Sequence, residues 1–181
     1  MPLRRLTPDD WPLLREIRLR ALADAPDAFA STLERESRFE EADWRRRAAG
    51  PVVLAYAEAG GPSAHVGDAG APGSSSPGGP HAPSGAGPVA MGGTFDDAGV
   101  LHVWGCWTAP HARGRGHLTA ILHDLLDEPR RAGRRIELDV AEGNGAARAA
   151  YERFGFVATG DTEPLRPGSP VTVARMRLAP A

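Results

Sequence analysis

The sequence predicts one α/β domain, in which a mixed β-sheet of about seven strands is covered by about four helices. Short apolar segments of strand length alternate with longer segments of helical periodicity. The chain has 181 residues, of which 41% are hydrophobic, so one domain with a substantial core is expected. The pattern is interrupted at a single stretch, residues 60–88.

The first half of the chain predicts two helices and three strands. Thr7 and Pro8 suit the start of a helix, and apolar residues then recur at helical spacing until Asp24–Asp27. Gly50 and Pro51 end the second helix. The predicted elements are a strand at Leu3–Leu6, a helix from Thr7, a helix at Phe39–Ala49, and strands at Val52–Ala57 and Val89–Thr94.

The second half predicts four further strands and two helices. Asp96–Gly99 is a turn between strands, and Gly155 suits the end of the last helix. The predicted elements are a strand at Val100–Thr108, a turn at Ala112–Gly116, a helix to about Asp127, a strand at Arg135–Val140, a helix at Asn144–Phe154, and strands at Phe156–Thr159 and Val171–Leu178.

Residues 60–88 predict a flexible surface insert. Of these 29 residues, 25 are Gly, Pro, Ser or Ala. The segment can therefore bury too little apolar surface to offset the conformational entropy lost on ordering. A tolerated insertion between two strands is the simpler interpretation. The alternative is a lid over an acceptor site.

Composition excludes several classes of protein. The net charge of −2 gives no global attraction to nucleic acid or anionic membranes. The only cysteine, Cys106, cannot form an internal disulfide, which favours a reducing compartment. The charged start MPLRRLTPDDW lacks the apolar run of a signal peptide, so we expect a cytoplasmic protein.

The turn HARGRG follows a strand and begins a helix. Glycines there let backbone N–H groups point at an anion, and the helix dipole adds positive potential. Arg113 and Arg115 add charge suited to phosphate. The turn therefore predicts a diphosphate site, although its spacing is neither that of the Walker loop nor that of the dinucleotide fingerprint.

Arg113-x-x-Gly116 between a strand and a helix resembles the acetyl-CoA-binding motif of the GNAT superfamily of N-acetyltransferases, in a form similar to that of many bacterial members. The resemblance covers nearly the whole chain outside the insert. It implies a mostly antiparallel GNAT-type sheet and acetyl-CoA as the acyl donor. By this resemblance the phosphates are bound by Arg113, Gly114, Arg115, Gly116, Leu118 and Thr119, and the pantetheine arm by Cys106, Trp107 and Thr108.

A second motif, at residues 144–156, resembles the same family. Asn144, Ala147 and Tyr151 recur at spacings of three and four, so they share one helix face. The resemblance implies that Asn144 and Ala147 contact the cofactor arm and that the Tyr151 hydroxyl lies beside the sulfur of CoA. One position departs from the first motif, because Leu118 stands where the family has a small residue.

Two residues are candidate catalytic groups. Tyr151 would arrive protonated and could give its proton to the leaving thiolate; the rival interpretation is a core tyrosine beside Phe154 and Phe156. His102 has a suitable intrinsic pKa for the general base, directly or through water. Its rival interpretation is a strand histidine with a satisfied hydrogen bond. Asp96 and Asp97 are the reserves for the base.

Alternation along a strand predicts that His102, Trp104 and Cys106 share one face. Strand cysteines are usually buried and inert, so direct attack by the amine is preferred over an acyl-enzyme on Cys106. His111 and His117 lack a third ligand at metal spacing, so no metal is expected.

The expected reaction is acetylation of a primary amine on a small molecule. The regions that contact acceptors in this family hold carboxylates and aromatic rings that would suit a cationic amine. A solvated acidic helix face explains the same residues equally well. They are Asp24, Asp27, Phe29, Glu34, Glu36, Phe39, Glu40, Glu41, Trp44 and Glu163. Protein or peptide acetylation and a non-catalytic acyl-CoA-binding module remain alternatives. A homodimer is possible, and neither nucleic acid nor a membrane is expected as a partner.

Overall fold

The computed structural model describes residues 1–57 and 87–180. These contain seven strands and five α-helices, with three short 3-10 turns at Pro8–Asp10, Pro26–Ala28 and Pro110–Ala112. In chain order the elements are β1 (Leu3–Arg5), α1 (Trp11–Asp24), α2 (Leu33–Ser37), α3 (Glu41–Ala48), β2 (Val52–Tyr56), β3 (Pro88–Asp97), β4 (Val100–Thr108), α4 (His117–Arg131), β5 (Arg135–Ala141), α5 (Gly145–Phe154), β6 (Phe156–Pro164) and β7 (Thr172–Leu178).

All seven strands form one sheet in the order β1-β2-β3-β4-β5-β7-β6. Every neighbouring pair is antiparallel except β4 and β5, which are parallel. The predicted mixed, mostly antiparallel sheet is therefore confirmed. Most of the predicted insert lies outside the described residues; its last residue, Pro88, begins β3.

Two apolar layers cover the sheet. One packs α1 and α3 on β2 and β3, around Leu14, Trp44 and Met91. The other packs α4 and α5 on the opposite face, where α4 lies over β2 to β5 and α5 contacts β6, around Ile121, Tyr151 and other buried side chains. Both faces of β2 are buried, which explains its uninterrupted apolar sequence VVLAY.

One helix was missed, and the predicted ends of two other elements were wrong. The helix α2 was missed because it is only five residues long and buries one side chain, that of Glu36. Helix α4 continues through Pro129 to Arg131 instead of ending near Asp127. Strand β6 extends to Pro164 instead of ending at Thr159. Its second half was missed because an edge strand with exposed polar residues lacks apolar alternation.

The predicted common face of His102, Trp104 and Cys106 was also wrong. Gly105 has a φ of +69°, and the register between β3 and β4 shifts at this point. This bulge reverses the alternation. Trp104 packs against the α1 and α3 layer, whereas Cys106 packs against the α4 and α5 layer.

Helix α4 lies very close to β3 at Gly92. A Cβ atom there would lie 2.9 Å from Cγ2 of Ile121 and 3.2 Å from Sγ of Cys106. We expect Gly92→Ala to lower the free energy of unfolding by about 1–3 kcal/mol through overpacking. Urea unfolding measures this change. Gly143→Ala is the matched control, since a Cβ there meets nothing within 4 Å. Equal stability of the two variants would contradict this packing.

Candidate active site

The site lies where β4 and β5 separate. The two strands pair only from Val100 and Arg135 to His102 and Glu137, although β4 runs on to Thr108 and β5 to Ala141. Beyond His102 the β5-facing edge of β4 has no strand partner among the described residues. Its backbone polar groups therefore remain available for a ligand.

A cavity of about 650 Å³ opens beside this edge. Helices α4 and α5 close one side, and the end of α1 with the following turn closes the other. The residues of the two sequence motifs that line it are Cys106, Trp107, Thr108, Arg113, Gly114, Gly116, Leu118, Thr119, Asn144, Ala147 and Tyr151. The structure thus brings together all the predicted cofactor residues except Arg115. Sequence reasoning did not place Ala28 or Arg153 here, and both line the cavity.

The turn before α4 has the backbone of an anion site. Gly114 and Gly116 have φ values of +73° and +79°, and a Cβ at Gly114 would meet nothing within 4 Å. Gly116 is the N-cap of α4, and no side chain caps the helix. The first N–H groups of the helix therefore lack intrahelical acceptors, and the residues that carry them, His117 to Thr119, line the cavity.

The two arginines of the turn differ in their surroundings. Arg113 donates through Nη2 to the carboxylate of Asp24 at 2.7 Å and through Nε to the Thr108 carbonyl at 3.0 Å. Asp24 also accepts from the indole of Trp107 at 2.9 Å. Arg113 thus fastens the turn to α1, while Arg115 is exposed and does not line the cavity.

Leu118 and Asn144 both line the cavity. Leu118 is partly buried and packs against the α4 and α5 layer. The Asn144 side chain accepts a hydrogen bond from the Ala147 N–H at 3.1 Å and caps α5. Its amide NH₂ group remains for a ligand.

Tyr151 meets Cys106 across the cavity. Each side chain is among the groups that shift the pKa of the other. Burial and then this thiol raise the pKa of Tyr151 well above its ordinary value, so the hydroxyl is protonated at neutral pH. Burial raises the pKa of Cys106 to about 11, and the Tyr151 hydroxyl offsets only part of this.

His102 does not line the cavity. It stacks on Phe95 of β3, with ring centroids 5.2 Å apart, and its register partner on β5 is Glu137. The bulge at Gly105 places it on the sheet face opposite Cys106.

Arginines neutralise most of the carboxylates that were expected to bind a cationic acceptor. Glu36 is fully buried between Arg18 and Arg47. Further ion pairs join Glu34 to Arg38, Glu41 to Arg45, and Glu163 to Arg175. Asp27 is mostly exposed, and its nearest cation, Arg166, is 3.8 Å away.

Two further findings concern the described residues only. They contain no grouping of three His, Cys, Asp or Glu side chains suited to a metal ion. No helix in residues 1–57 and 87–180 combines the length and apolar character needed to cross a membrane.

Comparison with known proteins agrees with this architecture. The sequence model of the Acetyltransferase (GNAT) family matches residues 18–156, and the chain belongs to that family. None of the curated protein sequences matches it significantly.

Solved structures share the fold over almost the whole chain. A GNAT-family acetyltransferase from Streptococcus pneumoniae is 14% identical, with 99% of each chain covered and a TM-score of 0.70. A ribosomal-protein-alanine N-acetyltransferase from Brucella melitensis is 19% identical, with 98% of each chain covered and a TM-score of 0.64. The putative acetyltransferase yncA from Salmonella typhimurium, solved with acetyl-CoA, is 16% identical, covers 98% of this chain and 92% of its own, and has a TM-score of 0.65.

The raised pKa of Cys106 predicts an unreactive thiol. At pH 8 we expect alkylation by iodoacetamide to be about 100-fold slower than for an ordinary cysteine, because thiolate is the reactive form. The rate should rise with pH until the pH approaches 11. Mass spectrometry measures this rate at the single cysteine, and the same chain in guanidinium chloride is the control. Equal rates in the folded and unfolded protein would contradict the assignment.

Proposed function

We propose that this chain is an N-acetyltransferase that transfers the acetyl group of acetyl-CoA to a primary amine of a small molecule by direct attack. The observation that carries the proposal is one cavity that joins an anion-binding turn to the protonated hydroxyl of Tyr151. The free thiol and the near-neutral net charge favour a cytoplasmic protein.

The residues present fit CoA. Diphosphate oxygens would be held by N–H groups between Gly114 and Thr119, and the exposed Arg115 would add charge at the rim. The unpaired edge of β4 at Cys106–Thr108 would hydrogen-bond the amides of the pantetheine arm, and Asn144 would add its NH₂ group. Bound acetyl-CoA supplies an activated acetyl thioester.

Tyr151 is the proposed general acid. The amine nitrogen bonds to the acetyl carbon, the C–S bond breaks, and its electron pair goes to sulfur. The Tyr151 hydroxyl, which the raised pKa keeps protonated, would give the sulfur its proton. The amine gives up one proton, which returns through solvent to Tyr151. A backbone N–H of β4 near Cys106 would stabilise the negative charge on the carbonyl oxygen.

The peptide alternative is supported by a second cavity of about 620 Å³, which shares Ala25, Ala28 and Asn144 with the first. Asp27, Glu142 and the chain before β7 also line it. A long acceptor could extend into this space. Offering small amines and peptides under equal conditions distinguishes the two. A non-catalytic module would bind acetyl-CoA and release no thiol with any acceptor.

Removing the Tyr151 hydroxyl tests the proposal. We expect Tyr151→Phe to lower kcat about 10²- to 10⁴-fold, the contribution of a general acid, with the KM for acetyl-CoA nearly unchanged. Release of CoA thiol over an amine panel measures both constants. Tyr56→Phe is the matched control, since Tyr56 is buried in the other apolar layer. An unchanged kcat in Tyr151→Phe would refute the role.

His102 remains the proposed base, and its position allows only a route through water. We expect His102→Ala to change the pH dependence of kcat/KM, since a base must be neutral to accept a proton. A pH–rate profile unaltered by the substitution would eliminate His102 and leave Asp96 and Asp97 to be tested in turn.

A further inference from the structure

Arg153 supplies a positive charge that nothing balances at the proposed acetyl-CoA cavity. The acidic and arginine side chains that line this cavity are those of Asp24, Arg113 and Arg153. Asp24 and Arg113 form an ion pair at 2.7 Å, so their charges cancel. The Arg153 side chain makes neither an ion pair nor a hydrogen bond within residues 1–57 and 87–180. Among these three side chains, one guanidinium is therefore left for a ligand.

Arg153 lies on the solvent side of α5. Ala146, Ala150 and Arg153 follow one another at spacings of four and three, so they share one face of the helix, and all three line the cavity. Ala146 and Arg153 are exposed, whereas Tyr151 on the neighbouring face is buried. Because alanine side chains are short, the rim of the cavity stays open along this face, which ends at Arg153.

The last turn of α5 packs beside the first turns of α4. The ring centroids of Phe154 and His123 are 4.9 Å apart. Thr119 lies one helical turn before His123 on the same face of α4, about 6 Å along the helix axis. Thr119 and Arg153 line the same cavity. Arg153 therefore borders the cavity from α5, beside the helix start that forms the anion site.

We propose that Arg153 binds the 3′-phosphate of the CoA moiety, so that the cavity selects CoA over dephospho-CoA, which lacks this group. The inference rests on the proposed acetyl-CoA-dependent function and adds a contact to its donor site. In CoA a single ribose carries both the diphosphate and the 3′-phosphate. A diphosphate at the glycine turn would therefore bring the 3′-phosphate to the open rim, at the end of the cofactor away from Tyr151.

The chemistry of the two groups matches. A phosphate monoester carries a charge close to −2 at neutral pH and three strong acceptor oxygens. A planar guanidinium offers parallel N–H donors that fit such a group. Arg113 is less suited to this task, because the carboxylate of Asp24 and the carbonyl of Thr108 already accept from its Nη2 and Nε.

Binding of CoA and of dephospho-CoA tests the proposal without catalysis. Calorimetry at low ionic strength measures both dissociation constants. We expect the native chain to bind CoA about 5- to 10-fold more tightly, between the effect of an exposed ion pair and that of a hydrogen bond between charged groups. Equal affinity for the two compounds overturns the proposal and leaves the acetyltransferase intact. If neither compound binds, both proposals fail.

Substitution of the arginine locates the contact. We expect Arg153→Gln to weaken CoA binding about 5- to 10-fold, to the level of dephospho-CoA, while the affinity for dephospho-CoA is nearly unchanged. Equal weakening of both compounds would mean a contact with the adenosine or a role in folding, and would overturn the assignment. Arg148→Gln is the matched control, because Arg148 is exposed on the same helix and does not line the cavity. It removes the same charge and should keep the preference for CoA.

Arg115 is the rival cation, since it is exposed in the glycine turn. The same two titrations on Arg115→Gln decide between the two arginines. We expect this variant to keep the difference between CoA and dephospho-CoA. If Arg115→Gln abolishes the difference and Arg153→Gln retains it, the proposal is overturned.

Discussion

The separation of β4 from β5 is the constraint on which the site depends. Three residue pairs join the strands, from Val100 and Arg135 onward, before they diverge. Both strands remain anchored on their other sides, β4 by β3 and β5 by β7. The gap exposes a row of backbone donors and acceptors that water or a ligand must satisfy. Helices α4 and α5 cover the same gap, so their ends meet at one cavity.

The bulge at Gly105 places the side chains before and after it on opposite faces of the sheet. Cys106 packs on the side of α4 and α5, with Tyr151, whereas Trp104 packs on the side of α1 and α3, with its ring centroid 5.7 Å from the Arg18 guanidinium. A regular strand would have placed Trp104 and Cys106 together. The Asp24 carboxylate, at the end of α1, joins β4 to the glycine turn, because it accepts hydrogen bonds from both Trp107 and Arg113.

The order of the strands and helices along the chain was predictable from local sequence patterns. Each strand within residues 1–57 and 87–180 was located, because buried segments such as Val52–Tyr56 carry continuous apolar sequence. The end of α5 was also located, since Gly155 takes a φ of +112° there. Long-range geometry was not predictable. The positive φ of Gly105 depends on the register with β3, and the partners of Arg113 and Glu36 come from distant elements. One signal for Arg18 was present: it lies four residues from both Leu14 and Leu22, on the buried face of α1.

Calorimetric titration with two thioesters tests the central claim most directly. Acetyl-CoA and S-acetyl-pantetheine share the reactive group, but only the first carries the diphosphate that the turn between Arg113 and Leu118 would hold. The account predicts that acetyl-CoA binds with one site per chain and that S-acetyl-pantetheine binds much more weakly. Equal affinity for the two compounds, or no heat of binding at millimolar acetyl-CoA, would contradict it.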